Sequence, residues 1–76
     1  MKIYYEMITE SERHSISYGI AAYAEGAEGS ASSPIAIVGD ISTERDAVFA
    51  LVQLCNRLEL SVLHLHDVVE DFLLRQ

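Results

Sequence analysis

Residues 40–74 read DISTERDAVFALVQLCNRLELSVLHLHDVVEDFLL. Apolar residues recur in this stretch at intervals of three and four, which places them along one side of an α-helix. The pattern runs twice with a short break between, and so predicts two amphipathic helices. The apolar stripes consist of Ala47, Val48, Leu51, Val52, Cys55 and Leu58 in the first helix, and of Val62, Leu65, Val68, Val69, Phe72 and Leu73 in the second.

Capping residues indicate where these helices begin and end. Ser42 and Thr43 each offer a hydroxyl oxygen to the free N–H groups of a first helical turn. Thr43, with Asp46 three residues later, also resembles a capping box, so the first helix should begin here. It should end near Glu59, and Ser61 should cap the second helix directly afterwards. A connection this short makes the two helices neighbours in a helical hairpin.

The N-terminal half predicts three strands. Residues 2–9 and 14–24 alternate in the manner of half-buried strands, and the polar residues 10–13 suit the turn of a hairpin between them. Residues 35–38 form a short apolar third strand, which the following Gly-Asp pair should end. The predicted fold class is therefore α+β with the element order βββαα, a three-stranded antiparallel sheet with the helical hairpin packed on one face.

A chain of 76 residues predicts a single domain, residues 1–76. Its one low-complexity segment, EGAEGSASSP at residues 25–34, is rich in glycine and serine and predicts a flexible loop. A phosphate-binding loop would need a Lys-Ser or Lys-Thr pair at the start of a helix, whereas Pro34 and a strand-like IAIV follow here. We therefore expect no phosphate site in this loop.

Charge and composition exclude several classes of function. The formal net charge is −7 and the basic residues are scattered, so neither nucleic acid nor an anionic membrane is an expected partner. No apolar run approaches the ~20 residues that span a bilayer. The N-terminal MKIYYEMITE has acidic residues where a signal peptide would need its apolar core. The expected location is the cytoplasm.

The sequence shows no catalytic constellation. The one cysteine, Cys55, lies in the middle of the first apolar stripe, so we expect a buried core residue rather than a nucleophile. A single cysteine can form neither an internal disulfide nor a cysteine-cluster zinc site. No G-x-S-x-G motif of a serine hydrolase occurs. We predict that the protein is not an enzyme and that it carries no catalytic residues, no metal and no cofactor.

The second helix carries a cluster of histidine and acidic residues, His64, His66, Asp67, Glu70 and Asp71. His66 and Glu70 lie one turn apart, as do His64 and Asp67, and the pair of His66 and Glu70 could offer two ligands to a metal. A zinc or iron site needs at least three protein ligands. We therefore expect a solvated helix face, and a ligand- or metal-responsive regulatory protein that uses this face is the alternative function.

Two runs, LCNRLELS at residues 54–61 and DVVEDFL at residues 67–73, together with Asp-Ile-Ser at residues 40–42, carry a resemblance to a known family. They resemble a family of small proteins of unknown function from Clostridia and related Gram-positive bacteria, over residues 16–74. The resemblance supports the predicted architecture and the cytoplasmic setting, and it implies no activity. Within the first run, Asn56 is expected to bond to the sheet or to the loop between the helices.

The outer face of the predicted sheet is too apolar to be fully solvated. It should carry Tyr4, Ile8, Tyr23 and Val38 with small residues between them, while Phe49 should lie outside the apolar stripe of the first helix. Aromatic residues flanked by small ones resemble the core of a protein interface, and so small a domain would gain from association. We predict a non-enzymatic interaction module that uses these five residues to self-associate, most simply as a homodimer, or to bind another protein.

Overall fold

The structure, a computed structural model, describes residues 2–25 and 33–75. The loop predicted at residues 25–34 therefore lies, in its residues 26–32, outside the described residues. The described elements are β1 (Lys2–Glu12), β2 (Ser15–Glu25), β3 (Ala36–Ser42), α1 (Arg45–Arg57) and α2 (Val62–Leu74). The strands form one antiparallel sheet in the order β1-β2-β3. The predicted α+β fold with its βββαα order is confirmed.

The β1–β2 hairpin is longer than the sequence pattern predicted. Its register runs without a break to the pair of Glu12 and Ser15, and only Arg13 and His14 form the turn. Arg13 adopts a φ of 55°, in the left-handed region that tight hairpin turns use. The prediction of a turn over residues 10–13 is wrong, because the polar run there belongs to a paired but solvent-exposed end of the hairpin.

Strand β3 also extends past its predicted end. Tyr18 pairs with Ser42 and Ile20 with Val38, so the single residue Gly19 lies opposite three residues of β3. A side chain at Gly19 would run into the carbonyl oxygen of Val38, so only glycine permits this close approach. Asp40, with a φ of 52°, takes up the bend. The Gly-Asp pair thus forms a bulge within the strand rather than its end.

The cap predicted for α1 differs from the observed one. Glu44 occupies the N-cap position without a side-chain hydrogen bond, and the Glu44 N–H donates to Ser42 Oγ at 3.1 Å. The capping box of Thr43 and Asp46 is therefore wrong. The cap predicted for α2 is confirmed, since Ser61 Oγ accepts from the Leu63 N–H at 3.3 Å.

The C-terminal end of α1 closes in a Schellman motif. The Leu60 N–H donates to the Cys55 carbonyl at 3.0 Å, and the Glu59 N–H donates to the Asn56 carbonyl at 3.1 Å. Glu59 adopts a φ of 49° to allow this, a conformation that glycine takes more readily. The motif reverses the chain within three residues and delivers it to the cap of α2.

One hydrophobic core joins the helices to one face of the sheet, here called the inner face. Helix α1 lies mainly over β1 and β2, whereas α2 approaches β3. The core consists of Tyr5, Ile20, Ala22, Ile41, Val48, Leu51, Val52, Cys55, Leu65 and Val69. Cys55 is buried in it, as its position in the apolar stripe predicted.

Candidate interaction surface

The face of the sheet that points away from both helices is here called the outer face. It is formed by every second residue of the three strands, and the register brings Tyr4 opposite Tyr23 and Ile8 opposite Gly19. The two tyrosine rings stack with their centroids 5.4 Å apart and their planes inclined by 19°. Such a pair presents a wide apolar surface with two hydroxyl groups at its rim.

The middle of the outer face holds two small residues, Ala21 and Gly19, that neighbouring side chains cover. Ala21 lies between Glu6 of β1 and Ile37 of β3, and it is only 1% exposed although no helix lies over it. Gly19, also buried, has no side chain, and Ile8 reaches to within 3.3 Å of where its Cβ would be. Ile37 lies beside Ala21 and is 58% exposed. The outer face therefore carries exposed apolar groups around small residues that are already covered within the chain.

The prediction that Val38 lies on the outer face is wrong. Val38 pairs with Ile20 and packs against the core, so it belongs to the inner face. Its neighbour Ile37 takes the outer position that sequence reasoning gave to Val38. The run IAIV is apolar at every position, so its sequence carries no alternation from which the face of each residue could be read.

Phe49 lies apart from the other predicted interface residues. It is on α1, 42% exposed, and the guanidinium carbon of Arg45 lies 5.7 Å from the centre of its ring. Because α1 packs on the inner face, Phe49 does not join the outer face. The structure thus brings together Tyr4, Ile8 and Tyr23, adds Ile37, and leaves Phe49 and Val38 outside this surface.

Two acidic side chains lie on the outer face. Glu6 is exposed between Tyr4 and Ile8 on β1, opposite Ala21. The carboxylate of Glu10, also exposed, lies against Gly39 of β3, where a side chain on Gly39 would collide with it. The surface is therefore apolar with one carboxylate within it and a second at its Gly39 end.

The Cys55 thiol and the Tyr5 side chain are buried in the core on the inner face. Burial raises the pKa of the Cys55 thiol. Burial, and secondarily the neighbouring Cys55, raises the pKa of Tyr5, whose hydroxyl donates to the Leu60 carbonyl at 2.6 Å. A thiol that is buried and held protonated is a poor nucleophile.

Asn56 bonds to the sheet, as the sequence predicted. Its Oδ1 accepts from the Tyr5 N–H at 2.7 Å, and its Nδ2 donates to the Tyr5 carbonyl at 3.0 Å. The second anchor, from the Tyr5 hydroxyl to Leu60, was not predicted. No sequence pattern signals it, because the two residues are 55 positions apart.

The acidic face of α2 is solvated. His64 Nδ1 lies 4.0 Å from Asp67 Oδ2, and Arg75 pairs with Asp71 at 3.1 Å, all with exposed side chains. Within residues 2–25 and 33–75, no three His, Cys, Asp or Glu side chains converge in a way that could hold a metal ion. No observation on this helix favours the regulatory alternative.

A groove of about 240 Å³ runs between the two helices. It is open to solvent and smaller than the roughly 300–1,000 Å³ typical of small-molecule sites. Its walls are Ala47, Ala50, Leu51, Leu54, Val68, Asp71, Phe72 and Arg75. The polar groups at its rim are already paired as Asp71 and Arg75.

Residues 1–75 match a family of unknown function. The chain belongs to DUF6514. No curated protein and no solved structure matches it. In the described part of this DUF6514 chain, neither helix has the length and apolar content that a membrane crossing requires.

The run LCNRLELS of this DUF6514 chain has a structural role. It supplies the buried Cys55, the sheet anchor Asn56, the carbonyl of Leu60 and the helix cap Ser61. These four residues fix where α1 ends, where α2 begins, and how α1 and the connection between the helices meet β1. The distinctive part of the sequence therefore defines the architecture.

Proposed function

We propose that this DUF6514 protein is a small, non-enzymatic interaction module of the cytoplasm that self-associates through the outer face of its sheet. The observation that carries the proposal is the apolar outer face itself, where the Tyr4–Tyr23 stack, Ile8 and Ile37 lie around the buried Gly19 and Ala21. Contiguous apolar surface on a small protein marks an interaction site.

The composition of this face favours a second copy of the same chain. A two-fold dimer brings each surface against itself, and so small a domain gains buried apolar area from association. The exposed Ile37 and the Tyr4–Tyr23 stack would be covered in both protomers at once.

The proposal that the protein is not an enzyme is supported by the burial of its one thiol. The Cys55 thiol lies in the core with a raised pKa. The cytoplasmic part is supported by the cysteine content, since a single cysteine offers no partner for the internal disulfides that are common in small secreted domains.

Sedimentation equilibrium on the parent and two substituted chains tests the proposal. We expect the parent to be dimeric at micromolar concentration. Tyr23→Glu and Ile37→Lys should each make it monomeric while circular dichroism shows an unchanged fold, because each places a charge in the buried face.

Leu63→Glu is the matched control. Leu63 is 86% exposed on α2, far from the outer face, so its substitution removes as much apolar surface without touching the interface. It should leave the dimer intact. A parent that stays monomeric at hundreds of micromolar would exclude self-association.

A further inference from the structure

We infer that Asn56 is an edge guard: its carboxamide occupies the backbone groups of Tyr5 that an incoming β-strand would need, and so prevents strand addition to β1. This inference is independent of the proposed dimer. It concerns the edge of the sheet, whereas the dimer uses its outer face.

Strand β1 is an open edge of the sheet. It pairs only with β2, and it is 11 residues long. The N–H and C=O of one strand residue point to the same side, and the side alternates from residue to residue. Long, unprotected edges recruit strands from other chains.

The Tyr5 backbone points to this free edge. Both its N–H and its C=O are bonded to Asn56 and not to β2. By the alternation, the backbone groups of Ile3, Met7 and Thr9 point the same way. A strand that added to β1 would have to bond to this series.

Asn56 satisfies the backbone N–H and C=O of Tyr5 in the way that a neighbouring strand would. A primary carboxamide has the same donor and acceptor as a peptide group, and here both are used, at 3.0 and 2.7 Å. The backbone of Asn56 is also fixed, because its main-chain carbonyl accepts from the Glu59 N–H in the Schellman motif. The Tyr5 hydroxyl, bonded to Leu60, fixes the same segment from the inner face.

The two halves of β1 are protected differently. Around Tyr5 the inner side of the strand is apolar, with Ile3 and Met7 packed against the core, and Glu6 is exposed on the outer side. Beyond Met7 the strand carries Glu10 and Glu12, both exposed, and charged residues on an edge discourage pairing. Asn56 thus guards the more apolar half of the edge.

Amide hydrogen exchange on the parent chain is the first test. The Tyr5 amide should exchange at least tenfold more slowly than the amides of Met7 and Thr9, although all three point to the free edge. Equal rates for Tyr5 and Met7 would overturn the inference, whatever the variants do.

Association of Asn56→Ala is the second test, made in a Tyr23→Glu background to remove the outer-face dimer. Tyr23→Glu alone should be monomeric, and adding Asn56→Ala should at least double the mass in sedimentation. Gln53→Ala, on the exposed side of the same helix, is the control and should stay monomeric.

Each outcome separates the two proposals. If Asn56→Ala frees the Tyr5 amide and the chain still stays monomeric, the edge guard is wrong and the outer-face dimer is unaffected. If the parent is monomeric but Asn56→Ala associates, the dimer is wrong and the guard stands. Should Asn56→Ala fail to fold, the same pair is made with Glu59→Gly, which relieves the left-handed backbone at Glu59 and should raise the melting temperature.

Discussion

The inner and outer faces of this sheet are built from the same three strands, yet only the inner one is covered. Tyr5 and Tyr4 are neighbours in β1, and one is sealed beneath α1 while the other stacks on Tyr23 in contact with solvent. Ile20 and Ile37 show the same contrast, at 0% and 58% exposure. Apolar composition alone therefore does not determine burial. The helices select the face, and the face they leave is the candidate site.

Truncation of one isoleucine on each face is the most direct test of this difference in burial. Ile20→Ala should lower the free energy of unfolding by about 2–5 kcal/mol, because it leaves a cavity in the core. Ile37→Ala should change it by less than about 0.5 kcal/mol under monomeric conditions. Urea unfolding at low protein concentration measures both. Similar losses at the two positions would mean that the outer face is buried within the monomer.

Removal of a tyrosine hydroxyl from each face should give a smaller difference. Tyr5→Phe should cost about 0.5–1.5 kcal/mol, since it breaks the 2.6 Å hydrogen bond to Leu60 and leaves that carbonyl without its partner. Tyr23→Phe keeps its ring on the outer face and should be close to neutral in the monomer. Equal effects would show that the bond to Leu60 adds nothing to stability.

Alkaline pH should destabilise the protein, because it favours ionisation of two groups of the inner face, Cys55 and Tyr5. Burial raises the pKa of Cys55 above its ordinary value of 9.0 and that of Tyr5 above 10.0. The folded state therefore keeps protons that the unfolded state releases, so the stabilisation is complete below about pH 9 and declines as pH rises further. Thermal unfolding between pH 8 and 10.5 measures the decline. It should be shallower in Tyr5→Phe and in Cys55→Val, and a flat profile in the parent would contradict it.

Added salt should have the smallest effect, and the quantity it should change is the affinity of the outer-face dimer. Two protomers that each carry a net charge of −7 repel one another, and Glu6 and Glu10 concentrate part of that charge beside the interface. Raising sodium chloride from about 50 to 500 mM screens this repulsion and should tighten the dimer severalfold. A dimer that weakens with salt would instead indicate attraction between opposite charges.

The helical half was the more predictable part of this fold, for a physical reason. A helix of 13 residues, more than three turns, repeats its apolar spacing several times, and the Ser61 cap needs only local geometry. The run IAIV has no alternation, so the inner position of Val38 depends on pairing with Ile20 and on the bulge at Asp40. Of the candidate site, Tyr4, Ile8 and Tyr23 were predictable from strand alternation in β1 and β2, whereas Ile37 required the register of β3.

The polar run at residues 10–13 shows a second limit. Polarity reports exposure to solvent, and both a turn and the far end of a long hairpin are exposed. Only the pairing of Glu12 with Ser15 distinguishes them. The N-cap of α1 was missed for a related reason, because Ser42 and Thr43 both suit a cap by their chemistry, whereas backbone geometry places Glu44 at that position.

The hydrogen bonds of Tyr5 to Asn56 and Leu60 have a consequence for the chain during its synthesis. The partners of Tyr5 are 51 and 55 residues further along, so the residues of β1 and β2 are synthesised before Asn56 and Leu60. Contacts between residues so distant in sequence also close late in folding, because a long loop must be ordered first. Any pairing of β1 with β2 that precedes the packing of α1 therefore leaves the free edge of β1 without Asn56. At that stage the exposed carboxylates of β1, those of Glu6, Glu10 and Glu12, are the groups that discourage pairing with other chains.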